Sequence, residues 1–289
     1  GDIRKAYGTY QNVLSEDENN IDAHIGLTSL LTAVKAYDQA IEHADDVLAV
    51  QPDNTEVMGF KAFALAGSGE TDAATALAEK TLSMEPGNTA AAGVISQLYI
   101  DKGDYESALT VLRKAASANQ DDPRLSLKTA YVLEQMGDRD ALEKELSTLA
   151  RKNPGVYAYA NALASFYVRE ARFDDAEKAI RKYASDNPDS NNAKKYLISF
   201  LRQHVSQDAA IAQVNSYIDS DPDKSEFKLM LADLYLFVGE KEQGLGVLNA
   251  LVESDPRSTG SIDARNMMVK IYLKDQNQAL VDKLSLIHI

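Results

Sequence analysis

Residues 157–190 read YAYANALASFYVREARFDDAEKAIRKYASDNPDS, and the spacing of their apolar side chains decides the fold. Ala160, Leu163, Ala164 and Tyr167 recur at the three- and four-residue intervals of one helix face. After a short polar gap, Ala176, Ile180 and Tyr183 repeat the pattern, and Pro188 then stands where a second helix must end. No stretch of the chain alternates with the period of two that a strand requires. The segment predicts two helices joined by a tight turn.

The same segment recurs. Pro52, Pro86, Pro154, Pro188, Pro222 and Pro256 all lie on one grid of 34 residues; the missing grid point is Gln120, with Pro123 three residues later in the same loop. A fixed period of 34 marks an array of helix-turn-helix repeats. Placing the prolines at position 32 gives frames that begin at Ile21, Thr55, Thr89, Pro123, Tyr157, Asn191 and Ser225, with residues 1–20 as a partial earlier frame. Position 20 is then Ala40, Ala74, Ala108, Leu142, Ala176, Ala210 and Gly244, small in nearly every frame, as two closely crossing helices need. Position 8 is mostly small as well, and position 11 is bulky (Leu31, Leu65, Tyr99, Leu133, Tyr167, Leu201, Tyr235), suited to filling the space between successive hairpins. Position 15 is glycine at Gly69, Gly103, Gly137 and Gly239, each followed by an acidic residue. Glycine closes a helix through a left-handed conformation, and an acidic residue favours the start of the next helix.

These frames resemble tetratricopeptide repeats, whose motif has a bulky residue at position 4, Leu at 7, small residues at 8 and 20, Tyr at 11 and Pro at 32. The resemblance is carried most fully by Leu163, Ala164, Tyr167, Ala176, Tyr183 and Pro188, and by Leu231, Ala232, Tyr235 and Pro256. Lys61 and Thr129 at position 7 and Leu142 at position 20 depart from it. A single hairpin cannot bury its apolar faces, whereas a stack of them makes one continuous core. The expectation is an all-α, right-handed superhelical α-solenoid of stacked hairpins forming one domain over residues 1–283. Its last repeat, 259–283, diverges: Tyr272 lies 37 residues after Tyr235, which suggests three inserted residues near 260–262. Residues 284–289 (LSLIHI) break the pattern and read as translated library-adapter sequence, foreign to the protein.

The family resemblance implies a non-catalytic scaffold that holds an extended peptide or helix of a partner in a concave groove, lined by positions 2, 5, 9 and 12 of each first helix. In two successive frames these positions give Asn161 and Ser165, then Asn192, Lys195, Ser199 and Arg202, which together form a candidate subsite for a partner carboxylate or backbone. The late stretch Ser254-Asp255-Pro256, Gly260, Ala264-Arg265 and Tyr272-Leu273 resembles the repeats of bacterial envelope lipoproteins, which implies a role in envelope assembly or export, in the periplasm or at the outer membrane. Two other readings stay open: the repeat arm of a larger enzyme such as a glycosyltransferase, and a structural repeat that associates with itself.

Charge and composition narrow the partners. With 30 basic and 44 acidic residues the net charge is −14, which argues against nucleic acid, whose binding rests on neutralising phosphates. The imbalance is concentrated: residues 1–122 hold 8 basic and 20 acidic side chains, residues 123–289 hold 22 and 24. The longest apolar runs fall far short of a membrane span, and the absence of cysteine removes disulfides, thiolate metal sites and thiol nucleophiles. Neither a catalytic constellation nor a cofactor motif is present. His24 sits at the bulky position 4 as a packing residue, and His43 and His204 have no second His or Cys at ligand spacing, so no metal is expected. Asp219, Asp221 and Asp223 have calcium-loop spacing, but Lys224 and Met230 stand where such a loop needs Gly and Glu.

Overall fold

The computed structural model describes residues 2–274, 276, 277 and 280. Among them the chain forms sixteen α-helices and no strand. In order they are α1 (Ile3–Glu16), α2 (Ile21–Ala33), α3 (Tyr37–Val50), α4 (Thr55–Ser68), α5 (Thr71–Met84), α6 (Thr89–Asp101), α7 (Tyr105–Ala118), α8 (Pro123–Met136), α9 (Arg139–Lys152), α10 (Tyr157–Arg169), α11 (Phe173–Asp186), α12 (Asn191–His204), α13 (Gln207–Ser220), α14 (Ser225–Phe237), α15 (Lys241–Ser254) and α16 (Thr259–Lys274). The chain divides into two compact units, Gly1–Asn153 with α1 to α9 and Pro154–Ile289 with α10 to α16. The even-numbered helices from α2 to α14 each open a hairpin and pack on the next odd-numbered one, and in the first unit α2, α4, α6 and α8 also meet one another in turn, as α14 and α16 do in the second.

Local chemistry sets the helix starts. Asn20, Asn54, Asn88, Asp122 and Ser190, each the last residue of its frame, cap the following helix by accepting a backbone N–H in its first turn. Such caps contribute about 1 kcal/mol each. The loops are tied across repeats as well: the Asn88 amide donates to the Thr55 carbonyl at 2.9 Å, Asn119 to Gly87 at 3.3 Å, and Asn187 to Pro154 at 2.7 Å.

The hairpin turn is more uniform than its sequence. Gly69, Gly103, Gly137 and Gly239 take left-handed conformations with φ between 72° and 94°, and Lys35 (φ 64°) and Ala171 (φ 56°) do the same at position 15 of their frames. Every turn then closes with the amide of position 16 donating to the carbonyl of position 11, as in Glu70 to Leu65 at 2.8 Å and Arg172 to Tyr167 at 2.8 Å. Val205 is the exception. A branched Cβ makes the left-handed region costly, so Val205 stays at φ −115°, and an extended Ser206 caps α13 through its side chain. The closing bond from Ser206 to Leu201 survives at 2.9 Å.

Packing follows the frame positions. Ala40, Ala74, Ala108, Leu142, Ala176, Ala210 and Gly244 at position 20 are all buried, as are Thr28, Ala62, Ser96, Ala130, Ala164, Ile198 and Ala232 at position 8. In the first unit Ala62, Leu65, Ala74, Ala78, Ala91, Val94 and Ile95 form one cluster across two hairpins; in the second, Ala232, Leu248, Leu251, Ala264 and Met268 form another. At 260–262, where the spacing suggested three inserted residues, α16 runs as one helix of 16 residues, against 13 in α14, which starts 34 residues earlier. Its buried stripe is Gly260, Ser261, Ala264, Arg265 and Met268, and it admits Arg265 because the guanidinium donates to the Pro256 carbonyl. Residues 284–289 lie outside the described residues.

Candidate functional site

The first unit carries two open cavities of about 340 and 390 Å³ that share Tyr37, Phe63, Gly93 and Lys128. Their lining comes mainly from opening helices: Ser29 and Thr32 on α2, Phe60 and Phe63 on α4, Ala90, Gly93 and Gln97 on α6, and Arg124 and Lys128 on α8, with Tyr37 in both and Thr71, Ala74 and Asp101 in the smaller one. Phe63, Leu127 and Tyr131, at groove positions of α4 and α8, are 40%, 41% and 50% exposed. The result is an aromatic trough laid across four repeats.

Two polar groups in the trough lack the partners that buried groups normally have. Thr32 is buried, and its Oγ1 has no hydrogen-bond partner. Lys128 is half-buried and makes neither an ion pair nor a hydrogen bond among the described residues; burial pushes its ammonium below the ordinary lysine range. Its stem passes over Gly93, where an added Cβ would stand 3.4 Å from Lys128 Cε, so the glycine gives the side chain its path. The larger cavity is lined by Lys35, Arg124 and Lys128 and by no carboxylate. Arg124 is already engaged: it forks onto Asp122 through Nε and Nη2 at 2.9 and 2.6 Å. That fork, with Thr89 donating to the same carboxylate, holds Asp122 down to about 2.

In the second unit the six residues singled out by frame position are only partly brought together. Asn161, Ser165 and Ser199 line a cavity of about 290 Å³ with Tyr196, Phe200 and His204, and the Tyr196 hydroxyl donates to Asn161 Oδ1 at 2.9 Å. Burial, with Tyr157 beside it, pushes the Tyr196 phenol up. Asn192, Lys195 and Arg202 lie outside that cavity's lining. Lys195 is paired with Glu226 of the next repeat, which Asn191 also holds at 2.5 Å. Arg202 lies 5.1 Å above the ring of Phe237, itself 70% exposed.

A second cluster escaped the sequence reading altogether. His24 on α2 and His43 on α3, 19 residues apart, meet with their Nδ1 atoms 2.9 Å from one another, and Asp46 Oδ2 lies 3.3 Å from His24 Nδ1. His43 and Asp46, three residues apart, share one face of α3, and the hairpin brings His24 of α2 to them.

Comparison with known proteins agrees with the architecture. A tetratricopeptide repeat family model matches residues 1–62 and 65–131, and a second of the same description matches 161–225. Uncharacterized protein y4yS of Sinorhizobium fredii (strain NBRC 101917 / NGR234) is 41% identical over 64 residues, which are 22% of this chain and 35% of that protein. A solved chain from the functional characterization of Pseudomonas aeruginosa pilF superposes with a TM-score of 0.50 at 17% identity, covering 76% of this chain and 99% of that one. One from the Naa15/Naa10 complex bound to HypK-THB superposes with a TM-score of 0.46 at 17% identity, covering 89% of this chain and 42% of that one. The chain thus spans about a third of its curated relative and less than half of the Naa15/Naa10 chain. With repeat models matched along both units and the paired-helix frame visible in every repeat, the chain belongs to the tetratricopeptide repeat family.

Proposed function

We propose that the protein is a non-catalytic adaptor that holds an extended segment of another protein along the exposed faces of its opening helices. The observation that carries this reading is the trough of the first unit, with aromatic walls, an unpartnered Thr32 hydroxyl and a half-buried Lys128 with no counter-ion. A half-buried ammonium with no counter-ion is poorly compensated, so a ligand carboxylate that pairs Lys128 recovers part of that cost on binding. The chemistry fits a peptide that seats an apolar side chain between Phe60 and Phe63 and offers a carboxylate to Lys128. In the second unit the same reading puts a partner on Asn161, Ser165, Asn192, Lys195, Ser199 and Arg202. There a ligand must displace Glu226 from Lys195 and share Arg202 with Phe237, so this face is expected to bind more weakly.

The setting we favour is assembly or export at a bacterial envelope, supported by the resemblance of the late repeats to those of envelope lipoproteins. A lipoprotein signal in the upstream reading frame would support it. A catalytic α/β domain in the adjoining sequence would favour the enzyme arm.

The test is a screen of displayed peptides against the full chain, followed by calorimetric titration of the selected sequences. Lys128→Ala is expected to lose about 1.5–3 kcal/mol of binding, the worth of a charge-assisted hydrogen bond, and Phe63→Ala to weaken binding as well. Selected peptides that bind both variants as tightly as the parent would remove the trough from the reading.

A further inference from the structure

We infer that His24, His43 and Asp46 form a binding site for a divalent transition-metal ion of the zinc class, held between the two helices of the α2–α3 hairpin. The argument begins with a proton. His24 Nε2 lies 2.9 Å from the Glu18 carbonyl oxygen, which can only accept, so Nε2 carries the hydrogen and Nδ1 of the neutral ring presents a bare lone pair. This is the arrangement in which a ligating histidine is fixed in tautomer and orientation by a backbone carbonyl behind it.

That lone pair faces two further donors. His43 Nδ1 stands 2.9 Å away, Asp46 Oδ2 3.3 Å away, and one atom from each of the three residues lies within 4.8 Å of the others. A tetrahedral zinc ion with bonds of about 2.0–2.2 Å separates neighbouring ligand atoms by roughly 3.3–3.5 Å, close to the 2.9 and 3.3 Å that separate His24 Nδ1 from its two neighbours. Without an ion, a hydrogen shared by the two Nδ1 atoms occupies the position a metal would take. Two neutral imidazoles and one carboxylate form the nitrogen and oxygen set that zinc prefers and that calcium and magnesium do not.

Burial is graded across the cluster. His24 is 6% exposed, His43 is half-buried, and the Asp46 side chain is 60% exposed, so the fourth position opens toward solvent on the side of Asp46. Nearby Asp45 is engaged by Lys61 and does not compete. An ion here would clamp α2 to α3 and to the loop that carries Glu18, in the hairpin that also supplies Ser29, Thr32 and Tyr37 to the trough.

The test uses the full chain without a histidine tag, titrated with Zn²⁺ by calorimetry in the presence of excess Mg²⁺ and Ca²⁺. One equivalent is expected to bind. His43→Gln and Asp46→Asn change half-buried and exposed side chains, so the fold, checked by circular dichroism, should persist. Loss of the His43 ligand is expected to weaken binding by on the order of 100-fold, more than loss of an outer partner costs, and loss of Asp46 to weaken it less. His204→Gln, on α12 of the second unit, should bind as the parent does. Cobalt placed in the site should give the intense visible absorption of low-coordinate Co²⁺ in the parent and not in His43→Gln. Failure to find one saturable equivalent, or equal binding by parent and folded His43→Gln, would overturn the assignment.

Discussion

Replacing Ala171 with glycine is expected to stabilise the second unit although it removes an atom and adds no contact. Ala171 holds φ at 56° in the turn between α10 and α11, where four other turns use glycine. A left-handed conformation costs an L-residue about 1–2 kcal/mol, and glycine gives back about 0.4–1 kcal/mol through its freer unfolded chain, which leaves a net gain of about 0.5–1 kcal/mol. The reverse change isolates the same quantity. At Gly103 and Gly137 an added Cβ meets nothing within 4 Å, so alanine there should cost about the same amount with no steric contribution. Urea unfolding followed by circular dichroism gives the midpoint shift. Because repeats open locally, exchange of the Arg172 amide, which closes this turn onto Tyr167, should slow in Ala171→Gly. A lower midpoint for Ala171→Gly, or an unchanged one for Gly103→Ala, would refute the claim that backbone conformation governs these turns.

Three further outcomes are expected. Ala176→Phe overpacks the fully buried crossing of α11 against α10 and should cost about 1–3 kcal/mol in the same urea assay. The Asp122 carboxyl is held well below its unfolded value by Arg124 and Thr89, so its contribution of about 1 kcal/mol after screening is complete above pH 4 and disappears as pH falls through about 2; Asp122→Asn should flatten that acid limb. Arg202→Ala removes a solvent-facing contact with Phe237 and should change stability by no more than about 1 kcal/mol, measured by thermal melting.

The helical hairpins were legible because each is written locally. Pro at position 32, Gly at 15, and small residues at 8 and 20 act within a frame, and α2 through α15 follow from them. What the sequence concealed lies between frames. Asn161 meets Tyr196, Asn191 meets Glu226, Arg202 meets Phe237 and Gly93 meets Lys128, each pair 35 residues apart. Neighbouring opening helices are therefore offset by one position beyond the repeat, and reading the chain at i and i+35 would have shown that Asn161 and Arg202 are engaged by the next repeat. The pairing of His24 with His43 could not be found that way, because it joins two helices of one hairpin whose faces depend on the turn. Nor could the trough be read from apolar pattern alone: it exists because Gly93 supplies no side chain where Lys128 crosses.

The loop amides that reach back one frame, Asn88 to Thr55 and Asn187 to Pro154, also constrain how such a chain can change over generations. Gain or loss of a whole 34-residue frame restores every cap, turn and loop bond to an equivalent neighbour, because hairpins contact only adjacent hairpins within each unit. A gain or loss of any other length sets a cap against the wrong carbonyl and turns every later helix off its buried face. The number of repeats is thus free to drift while the length of each is held, and binding surface can be added or removed in units of one hairpin.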